Sequence, residues 1–176
     1  LIEDLLKYSR VQKKGNVAKE VSIENVVRET LKFMEVVLEE SAGTINVSSP
    51  LPKVKADRSL LMQLMQNLLG NAIKYRHPQR ELKISVGADE DKEDNKYYRF
   101  WVKDNGIGIA AEDQQHIFDM FVRLFTTEEY EGTGIGLSIC QKIVQNFGGR
   151  IYVESELGKG SVFYFTLPKA NTPTVQ

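Results

Sequence analysis

The sequence predicts an α/β (α+β) fold in which a layer of helices covers one face of a mixed sheet. Two observations support this class. Helical and strand periodicities are mixed along the chain without regular β-α-β alternation, which favours segregated layers. Apolar residues make up 41% of the 176 residues, enough for the core of one domain.

The first half of the chain carries helical and extended periods, separated by glycine and proline. In chain order, these periods predict a helix at 1–13, an extended stretch at 17–23, a helix at 24–40, a strand at 44–48, a short strand near 54 and a long helix at 58–75. Asp57 is expected to cap the long helix.

The second half predicts a hairpin, two helices and two closing strands. In chain order, these are strands at 82–87 and 97–103, a short helix at 112–121, a helix at 135–147 and strands at 150–154 and 161–167. The acidic tip at 89–94 lacks the glycine and the closing glutamate of a calcium loop, so we interpret it as a solvated hairpin loop.

The bulk composition excludes several classes of protein. Lys+Arg 23 against Asp+Glu 24 gives a net charge of -1, which argues against nucleic-acid binding. No apolar run approaches the roughly 18 residues of a membrane span. One cysteine excludes an internal disulfide, so a cytoplasmic setting is expected.

Asp104 is the first candidate binding residue, because it follows an apolar strand and precedes Gly106 and Gly108. A carboxylate there can accept a hydrogen bond from an exocyclic amino group such as that of adenine, and the glycines allow close approach to a flat ring. An ordinary turn would explain the same residues, since Asp-Asn-Gly sequences are common in turns.

A second glycine box, Gly132-Thr133-Gly134-Ile135-Gly136-Leu137, opens a helix. Its backbone N–H groups and the helix dipole predict a phosphate site. Neither the G-x-x-x-x-G-K-[ST] loop nor the G-x-G-x-x-G fingerprint of dinucleotide-binding proteins matches here.

Asn67, Asn71 and Lys74 share one stripe of the long helix. Asparagine is a poor helix former, so two of them one turn apart need a reason. Carboxamide oxygens suit Mg²⁺, and a lysine suits phosphate. A solvated helix face is the alternative interpretation.

The segment at 121–131 links the two glycine boxes. We expect Phe118 and Phe121 to pin its base to the core. Arg123 within it is a candidate arginine finger for a γ-phosphate, although a surface arginine is the alternative. Cys140 is interpreted as a core residue, and the two histidines, His77 and His116, are interpreted as bystanders, that is, residues without a role in binding or catalysis.

Together these residues resemble the catalytic, ATP-binding domain of two-component sensor histidine kinases, and are similar to those of the phytochrome-like group. The resemblance covers about residues 20 to 168. The matching stretches are Gln63-x-x-x-Asn67-Leu-Leu-x-Asn71-Ala-Ile-Lys74-Tyr75, Asp104-x-Gly106-x-Gly108, Ile117-Phe118-x-x-Phe121-x-Arg123, Gly132 to Leu137, and Gly149 to Phe163.

This resemblance implies a Bergerat-type two-layer sandwich, with a mostly antiparallel sheet, about three helices and ATP under a mobile lid. It implies that Asn71 holds Mg²⁺, that Asn67 and Lys74 contact phosphates, and that Arg123 and Asn67 serve catalysis. The other implied ATP-binding residues are Tyr75, Asp104, Gly106, Gly108, Gly132, Thr133, Gly134, Gly136, Leu137 and Ser161.

The resemblance also divides the chain. Residues 1–15 are expected to end a dimerisation and phosphotransfer hairpin, 16–168 to form the ATP-binding domain, and 169–176 to be disordered. The phosphoacceptor histidine of such kinases is usually followed by an acidic residue, whereas His77 precedes Pro78 and His116 precedes Ile117. The fragment is therefore expected to lack its own phosphate acceptor.

The implied function is transfer of the γ-phosphate of Mg-ATP to a histidine on the dimerisation helices, in a homodimer when intact, and onward to the receiver domain of a response regulator. A serine-directed kinase of the same superfold and a non-catalytic nucleotide-binding module are the alternatives. Asn67 disfavours hydrolysis, because an amide cannot be a general base. Membrane attachment of the parent protein is left open.

Overall fold

The computed structural model describes residues 2–13, 18–124, 130 and 132–171. Its helices are α1 (Ile2–Lys13), α2 (Ile23–Phe33), α3 (Glu35–Glu40), α4 (Arg58–Lys74) and α5 (Gly136–Asn146). Its strands are β1 (Lys19–Ser22), β2 (Thr44–Val47), β3 (Lys53–Ala56), β4 (Lys83–Glu90), β5 (Tyr97–Asp104), β6 (Ile151–Glu156) and β7 (Gly160–Pro168).

A five-stranded sheet forms the centre of the molecule, in the order β2-β4-β5-β7-β6. The β2–β4 pair is parallel, and the other pairs are antiparallel. Alternate residues on these strands, such as Val86, Phe100, Val102 and Phe165, are buried. They form one core cluster with the buried residues of α2, α4 and α5, so the predicted fold class is confirmed.

The long helix α4 lies at the centre of the helical layer and forms as the sequence predicts. Asp57 caps it, since its Oδ1 accepts hydrogen bonds from the backbone N–H groups of Ser59 and Leu60 at 2.8 and 3.1 Å. The predicted core face is buried throughout and consists of Leu61, Leu64, Met65, Leu68, Leu69, Ala72 and Ile73. This face fixes the opposite, polar stripe of the helix toward the site described below.

The single helix predicted at 24–40 is wrong in one respect, because it is broken at Met34. The N–H of Met34 is shared between the carbonyls of Thr30 and Leu31, each at 3.1 Å. α2 buries an apolar stripe, whereas α3 buries no residue. The first part of the predicted helix is therefore buried in the core, whereas the second part contacts it through the partly buried Leu38.

The short helix predicted at 112–121 is also wrong, since the segment is a series of turns. Its backbone hydrogen bonds span three residues, as from the N–H of His116 to the carbonyl of Asp113. The buried apolar residues Ile117 and Phe118 are adjacent in sequence, so they do not form a helical stripe. Phe121 has a φ of 67°, which ends the turns.

A second, two-stranded sheet pairs β1 with β3 and was not predicted. Lys169 forms an isolated bridge with Val54 and donates its N–H to the carbonyl of Lys96 at 2.9 Å. Regular contacts thus extend past Pro168 into the segment expected to be disordered, while 172–176 lie outside the described residues.

The hairpin between β4 and β5 differs from the predicted solvated loop at one position. Asp91 is buried, and its carboxylate accepts two hydrogen bonds from the Arg150 guanidinium at 2.9 and 2.7 Å. The bonds from Arg150 hold the pKa of Asp91 below its usual value, against the opposing effect of burial. This ion pair ties the hairpin tip to the start of β6.

Candidate nucleotide-binding site

The site lies between α4, the end of β5 and the loop that leads into α5. It consists of two adjoining cavities of about 550 Å³ and about 90 Å³. Both cavities are lined by residues of α4, of its C-cap and of the second glycine box, among them Asn71, Lys74, Tyr75, Gly132, Gly134 and Leu137.

Asp104 lines the smaller cavity at the end of β5. Its Oδ1 accepts hydrogen bonds from the backbone N–H groups of Gly106 at 2.8 Å and Ser161 at 3.3 Å. Burial raises the pKa of Asp104 to about 6, and these two bonds partly oppose the rise. Since both bonds use Oδ1, the second carboxylate oxygen is the one suited to accept from a ligand.

The first glycine box packs against the end of α4. The N–H of Ile107 donates to the carbonyl of Tyr75 at 3.0 Å, and a Cβ on Gly106 would overlap that carbonyl. Gly108 has a φ of +72° and packs against the backbone of Glu156. The box is thus a tight turn that also forms a cavity wall, so the two interpretations of its glycines are compatible.

Two polar residues that the sequence did not single out support this loop. Arg80 donates through Nη2 to the carbonyls of Gly106 at 3.0 Å and Gly158 at 2.7 Å. Ser155 accepts the N–H of Ile109 at 2.8 Å, and its hydroxyl lies 2.8 Å from that of Ser161. Their roles depend on tertiary contacts between distant segments, for which the sequence carries no periodic signal.

Ser161 is among the ATP-binding residues that the resemblance implies. In the structure its backbone N–H contacts Asp104 directly, and its hydroxyl pairs with Ser155. The direct contact with the carboxylate therefore comes from the main chain.

The polar stripe of α4 faces the second glycine box across the larger cavity. Asn67, Asn71 and Lys74 all line this cavity. A Cβ on Gly136 would lie 3.5 Å from Asn67 Oδ1, and one on Gly132 would lie 2.6 Å from Lys74 Nζ. The stripe is therefore a cavity wall, and the interpretation as a solvated face does not describe it.

The N-terminus of α5 opens into the same cavity through Gly136 and Leu137. Its capping residue, Ile135, makes no side-chain hydrogen bond to the first turn. The N–H groups of that turn are consequently suited to bind an anion, and the helix dipole favours negative charge there. Gly134, with a φ of +72°, allows the turn that presents them.

Part of the segment between the glycine boxes is described, and it covers the smaller cavity. Arg123 and Leu124 line that cavity, and Arg123 Nη2 donates to the carbonyl of Tyr130 at 2.7 Å. The Tyr130 ring lies 4.9 Å from the ring of Tyr75, between centroids, and Lys74 Nζ lies 4.7 Å from the Tyr75 ring. Residues 125–129 and 131 lie outside the described part of the chain.

The predicted anchoring of this segment is half right. Phe118 is buried and packs edge-on against Phe163, with a centroid distance of 6.4 Å. Phe121 is 55% exposed and does not reach the core. Its positive φ reverses the chain after the turns, which directs the backbone N–H toward the carbonyl of Gly134 at 3.0 Å.

Cys140 and the residues interpreted as bystanders lie outside both cavities. Cys140 is buried, and burial raises the pKa of its thiol to about 12. His116 pairs with Asp119 on the surface. Among the described residues, no cluster of three or more His, Cys, Asp or Glu side chains is arranged to hold a metal.

The fold and the site together define a nucleotide-binding domain of the ATPase type, with a carboxylate at one end and the N-terminus of a helix at the other. Residues 56–171 match the family described as histidine kinase-, DNA gyrase B-, and HSP90-like ATPases. The chain belongs to this family.

Comparison with individual proteins shows which members of this family the chain is similar to. The chain is 42% identical to cyanobacterial phytochrome A of Nostoc sp. over 96% of its length, which corresponds to 21% of that protein. It thus spans about a fifth of this curated relative. Over 86% of its length it matches the catalytic domain of the histidine kinase ThkA at 30% identity, covering 97% of that chain with a TM-score of 0.68.

A third similar structure is full-length ShkA in complex with AMPPNP. It has 30% identity, a TM-score of 0.79 and 98% coverage of this chain, against 36% of that one. The chain is therefore an ATP-binding domain of the histidine kinase type. In the described residues, no helix is both long and apolar enough to cross a membrane.

Proposed function

We propose that this domain transfers the γ-phosphate of Mg-ATP to a histidine on dimerisation helices, for onward transfer to an aspartate of a response regulator. One observation carries the proposal. The stripe formed by Asn67, Asn71 and Lys74 faces the second glycine box across one cavity, and that cavity adjoins the one lined by Asp104.

The adenine end is built around Asp104. Its second carboxylate oxygen accepts a hydrogen bond from the adenine amino group, whereas the carbonyl of guanine would be repelled. Apolar neighbours such as Ile107, Ile109 and Phe163 line the same cavity and suit a flat ring. This end therefore selects the base.

The phosphate end suits Mg²⁺ as well as anions. Asn71 offers a carboxamide oxygen, and Mg²⁺ commonly takes one or two protein ligands together with phosphate oxygens and water. Asn71 would hold the ion, and Lys74 and the N-terminus of α5 would bind the phosphates. When bound, Mg²⁺ supplies charge neutralisation on the phosphates.

Phosphoryl transfer needs positioning and charge stabilisation more than covalent groups from this domain. A neutral imidazole on the dimerisation helices attacks the γ-phosphorus, and ADP leaves with the electron pair of the broken bond. Asn67 is an amide, so it positions phosphate rather than activating water. Arg123 would stabilise the transferring group, a role that requires its side chain to leave the smaller cavity and the carbonyl of Tyr130 for the larger cavity.

The partners follow from this chemistry. The protein acts as a homodimer when its dimerisation helices are present, and a receiver domain accepts the phosphoryl group from the histidine. We place the activity in the cytoplasm, where ATP is available.

The deciding experiment supplies the missing acceptor. The domain is incubated with γ-labelled ATP and a separate hairpin carrying a histidine, and a hairpin with that histidine replaced by Ala is the control. Acid-labile label on the histidine hairpin alone is expected. Acid-stable label on serine would indicate a serine kinase, and binding without transfer would indicate a regulatory module.

The magnesium role of Asn71 has its own test. Mg²⁺ is expected to increase the affinity for ATP, and Asn71→Ala should reduce this increase by about tenfold, because the protein ligand to the ion is lost. Calorimetric titrations with and without Mg²⁺ measure this gain. Gln66→Ala, which alters another polar residue lining the larger cavity, is the matched control. An unchanged Mg²⁺ gain in Asn71→Ala would refute the assignment.

A further inference from the structure

Helix α1 packs along α5 and reaches the phosphate end of the site. Val11 is buried, and its carbonyl accepts a hydrogen bond from Asn146 Nδ2 at 2.8 Å. Lys142 Nζ donates to the carbonyl of Tyr8 at 3.1 Å and lies 3.5 Å from the centre of its ring. These contacts hold α1 to the helix that begins at the second glycine box.

One turn before Tyr8, the side chain of α1 that meets the glycine box is an acid. Asp4 Oδ2 accepts a hydrogen bond from Thr133 Oγ1 at 2.8 Å. Asp4 also lines the larger cavity, together with Asn71, Lys74 and Gly132. A carboxylate therefore lies on the wall of a cavity whose other features favour anions.

We propose that Asp4 makes α1 a gate for the triphosphate. While α1 is docked, Asp4 holds Thr133 of the second glycine box and repels the phosphates. Binding of ATP displaces this contact and weakens the docking of α1. The inference rests on the proposed function, because it assigns the larger cavity to the phosphates of ATP.

The coupling has a required sign and a required reciprocity. Like charges at a partly exposed site interact modestly, and salt screens them. If docking of α1 lowers the affinity for ATP by some factor, bound ATP lowers the equilibrium constant for docking of α1 by the same factor. Any change that weakens α1 docking should therefore strengthen ATP binding, even where it lies outside the cavity.

Two substitutions on α1 test the charge. Asp4→Asn removes the acid in the cavity wall, and Glu3→Gln removes the same charge from the neighbouring position, which is exposed and does not line the cavity. Calorimetry with AMP, ADP and ATP, at low and high salt, is expected to show ATP binding ~3- to 10-fold tighter in Asp4→Asn. AMP affinity and the Glu3→Gln variant should change little, and the gain should shrink at high salt.

A third substitution tests the docking. Asn146→Ala removes the hydrogen bond to Val11 without altering the residues that line the cavity. It should raise ATP affinity ~2- to 3-fold, about the effect of one lost hydrogen bond. Far-UV circular dichroism checks that each variant is folded.

Several outcomes would overturn the inference. An equal gain in Glu3→Gln would reduce it to net charge, and an equal gain for AMP would separate Asp4 from the phosphates. Weaker binding of Mg-ATP in Asp4→Asn would make Asp4 a support for the metal, and unchanged affinity in Asn146→Ala would remove the link to docking. Failure of wild type to bind ATP would instead refute the proposed function itself.

Discussion

Asp104 combines a structural and a chemical demand in one carboxylate. Two backbone N–H groups bind its Oδ1, so the side chain is held in place by the loop it helps to form. Burial raises the pKa of Asp104 to about 6. Ionisation of the buried carboxyl therefore costs solvation free energy, but the group is still mostly ionised at neutral pH. Recognition of an amino group requires a hydrogen-bond acceptor that is held in a fixed position.

The raised pKa of Asp104 gives a pH prediction. The ionised form accepts the adenine amino group, so ATP affinity should fall as pH drops through about 6, by ~10-fold at pH 5. For folding the sign is opposite, because a raised folded pKa means that this group favours the folded state more as pH falls from above 6 toward 3.8. Weak binding at low pH would therefore not reflect unfolding caused by Asp104.

Asp104→Asn is the control for that measurement. It should weaken ATP binding at pH 7.5 by ~10- to 100-fold, because an amide can present its own donors to the adenine amino group. The titration of the ATP phosphates is common to both proteins, so the difference between their pH profiles isolates Asp104. Parallel profiles, or equal affinities by calorimetry, would remove Asp104 from adenine recognition.

At the residue scale, the sequence revealed side chains that are unusual for their element. Asn67 and Asn71 stand out because asparagine disfavours helix interiors, and Asp104 stands out at the end of an apolar strand. Arg80 and Ser155 could not be predicted, since their importance comes from carbonyl and N–H groups that folding brings to them. A residue type that is unusual for its helix or strand can be recognised in the sequence, whereas the tertiary contacts of a residue cannot.

At the scale of elements, periodicity was reliable where a helix packs along its whole length. α4 shows a continuous apolar stripe and a capping aspartate, and both the stripe and the cap form as predicted. The segment at 112–121 has adjacent rather than spaced apolar residues, and it folds as turns. The segment therefore offers no apolar stripe along which a helix could pack.

The described part of the segment at 121–131 offers a prediction at the scale of elements. The ring of Tyr130 packs on Tyr75 at the end of α4, and the carbonyl of Tyr130 accepts a hydrogen bond from Arg123 within the same segment. An aromatic pair contributes about 0.5–1.5 kcal/mol. Tyr130→Ala should therefore weaken ATP binding ~2- to 10-fold, because Tyr75 at the adenine end loses its support.

Tyr130→Phe is the matched variant, because it keeps the ring and the backbone carbonyl. Its ATP affinity should stay within about twofold of wild type when measured by the same titration. Equal losses in the Phe and Ala variants would assign the effect to the hydroxyl, and no loss in either would show that Tyr130 does not position Tyr75.

At the scale of the whole molecule, the layers were predictable but the strand order was not. The mixed helical and strand periods of the sequence predicted a layer of helices on one face of a mixed sheet. The parallel β2–β4 pair and the small β1–β3 sheet depend on pairing between segments distant in sequence. Four-residue strands such as β1 and β3 carry too few residues to show a period.

The ion pair of Asp91 and Arg150 yields the prediction for global stability. Asp91→Asn removes the carboxylate that binds the partly buried Arg150 guanidinium through two hydrogen bonds and leaves the longer contact with the exposed Glu93 at 3.4 Å, so the free energy of unfolding should fall by about 2–4 kcal/mol in urea titrations at pH 7. The pKa of Asp91 is lowered, so its contribution is present above the ordinary value of 3.8 and is lost as pH falls through the folded pKa. The difference in the free energy of unfolding between wild type and variant should accordingly shrink toward pH 3.

Asp89→Asn, which breaks a more exposed pair with Arg99, is the control and should lower the free energy of unfolding by less than about 1 kcal/mol. Equal losses in the two variants would show that burial of Asp91 adds nothing, whereas the expected gap would identify this ion pair as the tie between the hairpin tip and β6.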